Sequence, residues 1–181
     1  GARLWSGAEA HFDGLAWQGF GLSNALGVNG FPNGEAFRLG TNRPDAILAR
    51  AFVRQTFDLS SQQQDVADDA LNLQGKRSAS RVTITAGKFS AKDVFDLNSY
   101  AGDPRTQFLN WALMANQAWD YPADSIGFES GVAVELFQDA WVLRGGVFQM
   151  PRVSNGMSVD PHLLRAWGGV VEFERGFRLG E

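Results

Sequence analysis

Cysteine is absent from this 181-residue chain, histidine occurs only at His11 and His162, and lysine is scarce, with three against 13 arginines. The first absence removes disulfides and thiolate metal sites but fixes no compartment. With so few histidines and no thiol, a histidine-rich metal site and a Cys–His nucleophile are both excluded or nearly so. No apolar run approaches the ~18 residues of a transmembrane helix, and no signal peptide is visible at Gly1. An excess of positive charge is also missing. The 16 basic and 20 acidic residues leave a formal net charge of −4, which gives no electrostatic case for nucleic acid.

Catalytic signatures are missing too. No serine sits in a Gly-x-Ser-x-Gly elbow. The stretch Gly30-Phe-Pro-Asn-Gly34 is a turn without the lysine of a phosphate cradle. The pairs Asp93/Asp96 and Glu172/Glu174 are spacings that arise readily by chance, because the separation of two carboxyls in space cannot be read from sequence. No enzyme activity and no cofactor are expected, and the acidic loop residues are weak evidence for calcium.

What is present is alternation. Strands are expected at Leu4 to Phe12, Ala46 to Asp58, Ser80 to Ser90, Gly127 to Phe137, Ala140 to Met150 and Leu163 to Phe173. In the third, Val82, Ile84 and Ala86 share one face while Arg81, Thr83 and Thr85 share the other, the period of a half-buried strand. Phe128, Val132, Val134 and Leu136 alternate in the same way with Glu129, Gly131 and Glu135, and a short connection at Gln138-Asp139 predicts an antiparallel hairpin over Gly127 to Met150. Ala46 to Asp58 alternates less cleanly: Ile47, Ala49, Ala51 and Val53 take one side, and Arg50 and Arg54 share the other with Leu48 and Phe52. The span Ser60 to Ser78 reads as a hydrophilic connection. The mean hydropathy of −0.19 is near neutral, as expected where half of each strand faces water. These patterns alone suit a membrane β-barrel and a soluble β-sandwich equally.

Between the third and fourth strands lies a connection far beyond the roughly 12–15 residues usual for unstructured loops. It carries Asp93, Asp96, Asn98, Arg105, Asn110, Trp111, Trp119, Tyr121 and Asp124, with a short helix expected over Phe108 to Met114. Asp and Asn in such loops most often make Asx turns and caps.

Five linked stretches resemble the carbohydrate-selective outer-membrane porins of the OprB type, in one order over nearly the whole chain. They run Gly19 to Gly27 with Gly30 to Glu35, Thr85 to Ser90 with Asp93 to Asp96, Asp103 to Trp111, Asp120 to Asp124, and Trp141 to Phe148 with Pro151. The resemblance implies an all-β fold, a transmembrane antiparallel β-barrel of porin type with about 16 strands in the family, of which this chain supplies only part. It further implies residence in the outer membrane of Gram-negative bacteria and passive diffusion of sugars such as glucose. Residues 1–181 are then expected to form a single partial barrel domain, a piece of something larger, with an inward-folded loop at about 91–125. The expected partners are a mono- or oligosaccharide and the lipid bilayer. A soluble β-rich carbohydrate-binding module is the alternative, and a plugged, purely structural barrel a third.

A sugar offers neutral hydroxyls and an apolar ring face, so a sugar channel uses forked donors, carboxylate acceptors and aromatic platforms. On that chemistry the expected channel-lining residues are Arg50, Arg54, Lys88, Glu129 and Arg144 on strands, and Arg105, Trp111 and Trp119 in the long loop. The plainer alternatives are a lumen ion-pair ladder for the charged residues and fastening of the loop to the wall for the aromatics.

Overall fold

The computed structural model describes residues 1–19, 41–102, 107, 119, 121–153, 156, 158–162 and 165–177. Nine strands are described: β1 (Ala2–Trp5), β2 (Ala8–Gly19), β3 (Thr41–Asp58), β4 (Gln63–Val66), β5 (Gly75–Ser78), β6 (Arg81–Phe89), β7 (Glu129–Gln138), β8 (Trp141–Gln149) and β9 (Trp167–Arg175). Seven of them form one antiparallel sheet in the order β1-β2-β3-β6-β7-β8-β9, while β4 and β5 pair as a separate small hairpin. The large sheet curls into a half-barrel. No α-helix is present among the described residues.

Each main strand pairs with its nearest large neighbour in sequence, the arrangement of an up-and-down barrel wall. The turns after β1 and β7 span two residues, Ser6-Gly7 and Asp139-Ala140. They lie at the same end of the sheet as the connection 59–80. The opposite end carries the connections 20–40, 90–128 and 150–166.

Several expectations about strands change, and β3 begins at Thr41 rather than Ala46. Leu4 to Phe12 is not one strand but the β1–β2 hairpin, folded at Gly7. That residue has φ of +73°, and its carbonyl accepts the Thr56 amide at 2.7 Å. A side chain there would also collide with the Thr56 carbonyl, so glycine is required on both counts. β9 runs over Trp167–Arg175, and the expected start at Leu163 lies outside the described residues. The hydrophilic span 60–78 carries the β4–β5 hairpin, paired from Gln63–Ser78 to Val66–Gly75.

The untidy alternation of β3 has a structural cause. Asp13 pairs with Arg50 and Gly14 with Leu48, so Ala49 is an extra residue in β3, a β-bulge that resets the parity of the strand. Ala49 is consequently buried and Leu48 is 51% exposed, the reverse of the pattern two residues farther along.

Registers sort the side chains onto two faces. The outer face carries Phe12, Val53, Val132, Val134, Leu143, Val147, Val171 and Phe173, all exposed. The inner face is layered. One row runs Thr56, Thr83, Glu135, Arg144, Glu172 from β3 to β9, and the next runs Glu9, Arg54, Thr85, Ala133, Gly146, Val170 from β2 to β9. A third row is His11, Phe52, Gly87, Gly131, Phe148, Gly168.

Apolar side chains of that third row join Phe89, Ala91, Val94, Phe95 and Ala133 in the only large buried cluster found among the described residues. Phe89 meets Phe148 edge-on at 5.5 Å between ring centroids, and Phe95 meets Phe148 at 6.1 Å. Gly146 makes room for this. A Cβ there would lie 2.8 Å from Phe148 and 2.9 Å from Phe95. Ala91, Val94 and Phe95 belong to the start of the connection 90–128, so this segment packs on the inner face. Its first turn is a 3₁₀ helix over Ala91–Asp93, capped reciprocally by Ser90 and Asp93.

Candidate channel lining

Three arginines of the inner face, Arg50, Arg54 and Arg144, each meet carboxylates on neighbouring strands or loops. Arg50 forms a bidentate pair with Asp93, Nε to Oδ2 and Nη2 to Oδ1 each at 2.7 Å, and its Nη1 reaches Asp13 at 3.5 Å. Its guanidinium also lies 4.9 Å from the centre of the Phe128 ring. Asp93 Oδ2 accepts the Ser90 amide at 3.0 Å as well, so one carboxylate closes the helical turn and fixes the arginine. Two parallel charge-assisted bonds give this pair a defined geometry that a lysine could not reproduce.

Arg54 is buried and divides its donors four ways. Nη1 donates to the Leu71 carbonyl at 2.7 Å and to Asn72 Oδ1 and Glu9 Oε1 at 3.3 Å, and Nε donates to the Thr85 hydroxyl at 3.3 Å. It thereby ties the connection 59–80 to the wall. The turn it grips is built by Asp69, which accepts the Leu71 amide at 2.6 Å and the Asn72 side chain at 2.9 Å. Partial burial works to raise the Asp69 carboxyl, but the hydrogen bonds from Leu71 and Asn72 outweigh it and hold the group below its ordinary value.

Arg144 is the hub of a second network. Its Nε reaches Glu135 at 3.3 Å, and Nη1 reaches Glu172 at 2.5 Å and Glu174 at 2.9 Å. Glu135 and Glu172 stand directly opposite Arg144 on the two flanking strands, the placement in which cross-strand charges interact best. Arg81, one row nearer the short turns, donates to the Ser78 carbonyl at 3.0 Å and lies 3.6 Å over the Phe137 ring.

The remaining expected residues fall differently. Glu129 is on the inner face, buried, with Oε1 accepting the Ser130 amide at 2.6 Å and Oε2 without a partner among the described residues. Lys88 is not on that face. It pairs in register with Ala51 and Ser130, which puts it in step with Val82 and Ile84, and it reaches Asp124 at 3.4 Å. The reason is parity: from Arg81 the inward positions are odd-numbered. Asp124 accepts the amides of Ile126, Gly127 and Phe128 at 2.9–3.1 Å and so makes the turn into β7. Asn98 likewise accepts the Tyr100 amide at 2.8 Å. Trp119 packs edge-on against Phe95 at 6.3 Å and beside Tyr121 at 5.6 Å, which fastens the loop to the buried cluster. Arg105 and Trp111, with the helix expected over Phe108 to Met114 and the turn Gly30 to Gly34, lie outside the described residues.

Glu9 and Asp13 are not among the expected wall residues, and Arg81, though placed on the polar face of its strand with Thr83 and Thr85, is not among the expected channel-lining residues. Glu9 and Asp13 become legible only through the pairing of β2 with β3.

A sheet with one exposed apolar face and one face of interlocked arginines and carboxylates matches the wall of a water-filled membrane barrel, lipid outside and solute inside. Neither the curated proteins nor the solved structures contain a match to the chain. The family model described as carbohydrate-selective porin, OprB family, matches residues 2–176, and the chain belongs to that family.

Proposed function

We propose that this chain forms part of the wall of an outer-membrane channel through which sugars such as glucose diffuse passively, with Arg50, Arg54 and Arg144 on the solute side. The observation that carries the reading is the division of one curled sheet into an apolar outer face and a charged inner face, in a member of a carbohydrate-selective porin family. Among the described residues, edge strands β1 and β9 each have a strand on one side only. Hydrocarbon does not tolerate open edges, so the working channel includes further strands that close the ring. A soluble sugar-binding module is disfavoured by the same outer face, where Phe12, Val171 and Phe173 are each more than 60% exposed.

Arg50 suits sugar hydroxyls best, because its guanidinium is the most accessible of the three and lies beside the carboxylates of Asp13 and Asp93, whereas the donors of the buried Arg54 and Arg144 are engaged within the wall. Of Arg50 and Arg54, both on β3, Arg50 is the more accessible and Arg54 the more buried. In liposome swelling with the complete porin, Arg50→Ala is expected to change the ratio of glucose to disaccharide permeation while the barrel still folds. Arg54→Ala acts on the same ratio through the 59–80 connection. Unchanged ratios in both variants would remove these arginines from the selectivity apparatus.

A further inference from the structure

The start of the connection 90–128 is fastened to two strands that are four places apart in the sheet, β3 and β9. Asp93 is held by Arg50 of β3, and three residues later the backbone N–H of Asp96 donates to Glu172 Oε2 of β9 at 2.6 Å. Between β3 and β9 lie four strand spacings, about 19 Å along the sheet, whereas residues 93 to 96 extend at most about 10 Å. The long side chains of Arg50 and Glu172 cover the difference, so the segment bridges β3 and β9 over the inner face.

The two fastenings are unequal. At the first, a bidentate ion pair, a capped turn and the fully buried Ala91, Val94 and Phe95 hold the chain. At the second, Asp96 has φ of +53°, a left-handed conformation that non-glycine residues seldom adopt, and it marks the exit from the buried cluster. Phe95 before it is fully buried, whereas Leu97 and Tyr100 after it are 55% and 77% exposed. The Asp96 side chain is met by Lys92 at 3.1 Å. Glu172 is itself oriented by Arg144 at 2.5 Å.

We infer that Glu172 is a positioning residue for sugar selectivity: by capturing the Asp96 amide it holds residues 93–96 against the inner face, and so sets the space left for solute beside them, without touching the solute. This rests on the channel reading above. The feature that sets Glu172 apart from a simple ladder member is reach, because its second oxygen goes to loop backbone while its first goes to Arg144.

Reach and charge are separable by substitution. Glu172→Gln keeps the length and an oxygen acceptor but drops the charge. Glu172→Asp keeps the charge for Arg144 but withdraws the carboxylate by one methylene from Asp96. In the complete porin, Glu172→Asp and Glu172→Ala are expected to raise the disaccharide-to-glucose permeation ratio severalfold, since loss of one charge-assisted hydrogen bond frees the exit on the order of tenfold more often. Glu172→Gln is expected to stay near the unsubstituted ratio. If instead Glu172→Gln changes the ratio and Glu172→Asp does not, Glu172 acts by its charge and the inference is overturned. It is overturned equally if all three substitutions leave the ratio unmoved while glucose still passes. Absence of glucose permeation in the unsubstituted porin would defeat the channel reading itself, which is a different result.

Discussion

Removal of the Phe148 side chain probes whether the inner face has a true core. Phe148 is fully buried, and its ring meets Phe89 at 5.5 Å and Phe95 at 6.1 Å, both edge-on. It joins β8 of the wall to Phe95 of the connection, so its loss opens a cavity under that segment. Truncation of a buried phenylalanine to alanine costs about 3–5 kcal/mol where the surroundings cannot collapse. Here Gly131 and Gly146 on either side carry no atoms that could fill the space, and the wall is fixed by ladder hydrogen bonds, which argues for the upper half of that range. The two edge-on contacts account for about 0.5–1.5 kcal/mol each of the total. Next along the strand, Val147 points outward and is 51% exposed. Its replacement by alanine exchanges one apolar surface for another against lipid and is expected to cost below about 1 kcal/mol. Urea unfolding of the complete porin in detergent micelles, followed by tryptophan fluorescence, would compare the two variants. A loss under about 1 kcal/mol for Phe148→Ala, or one equal to that of Val147→Ala, would refute the assignment of inner and outer faces.

Other perturbations test separate parts of the account. Val134 lies on the outer face near the middle of β7, so Val134→Arg is expected to destabilise the folded, inserted barrel by about 2–4 kcal/mol, measured by refolding into bilayers; a neutral result would show that this position does not face hydrocarbon. The turn at Asp69 carries a pH dependence of known sign. Because the folded carboxyl titrates below its ordinary value, the ionised group stabilises the turn at all pH values above about 3.9, and that contribution is lost as pH falls through the lower, folded value. Cleavage within 67–73 by an acid protease is therefore expected to rise only below about pH 3.9, and a rise beginning near neutral pH would contradict the hydrogen-bonded turn.

Local patterns carried much of the fold. β6 reads correctly because every second residue from Arg81 to Thr85 is polar and no bulge interrupts it. The pairing of β7 with β8 reads correctly because its strands are long and its turn is short, although the turn is Asp139-Ala140 rather than the expected Gln138-Asp139. β3 read poorly because Ala49 is an added residue, and a bulge is visible only when the partner strand is known. β1 and β2 merged into one expected strand because the turn at Ser6-Gly7 is brief and the residues around it remain of strand type; the collision that demands glycine there comes from Thr56, some fifty positions away.

The site divides along the same line. Arg50, Arg54, Glu129 and Arg144 could be placed on a polar face from alternation. Their partners could not, since Asp93, Glu9 and Glu172 reach them through contacts distant in sequence. Lys88 was misplaced by one position of parity, and in a strand that error exchanges the two faces. Trp119 shows why an aromatic residue in a loop is ambiguous in sequence: whether it faces solute or wall depends on Phe95, a neighbour 24 positions earlier.

The most direct test of the central claim is permeation of glucose and of a larger oligosaccharide into liposomes carrying the complete porin, with the 181-residue chain alone as control. Swelling with glucose, slower swelling with the oligosaccharide and none from the partial wall alone is the predicted result. Verified insertion of the complete porin without any glucose-driven swelling would contradict the channel and leave the charged inner face as a structural plug.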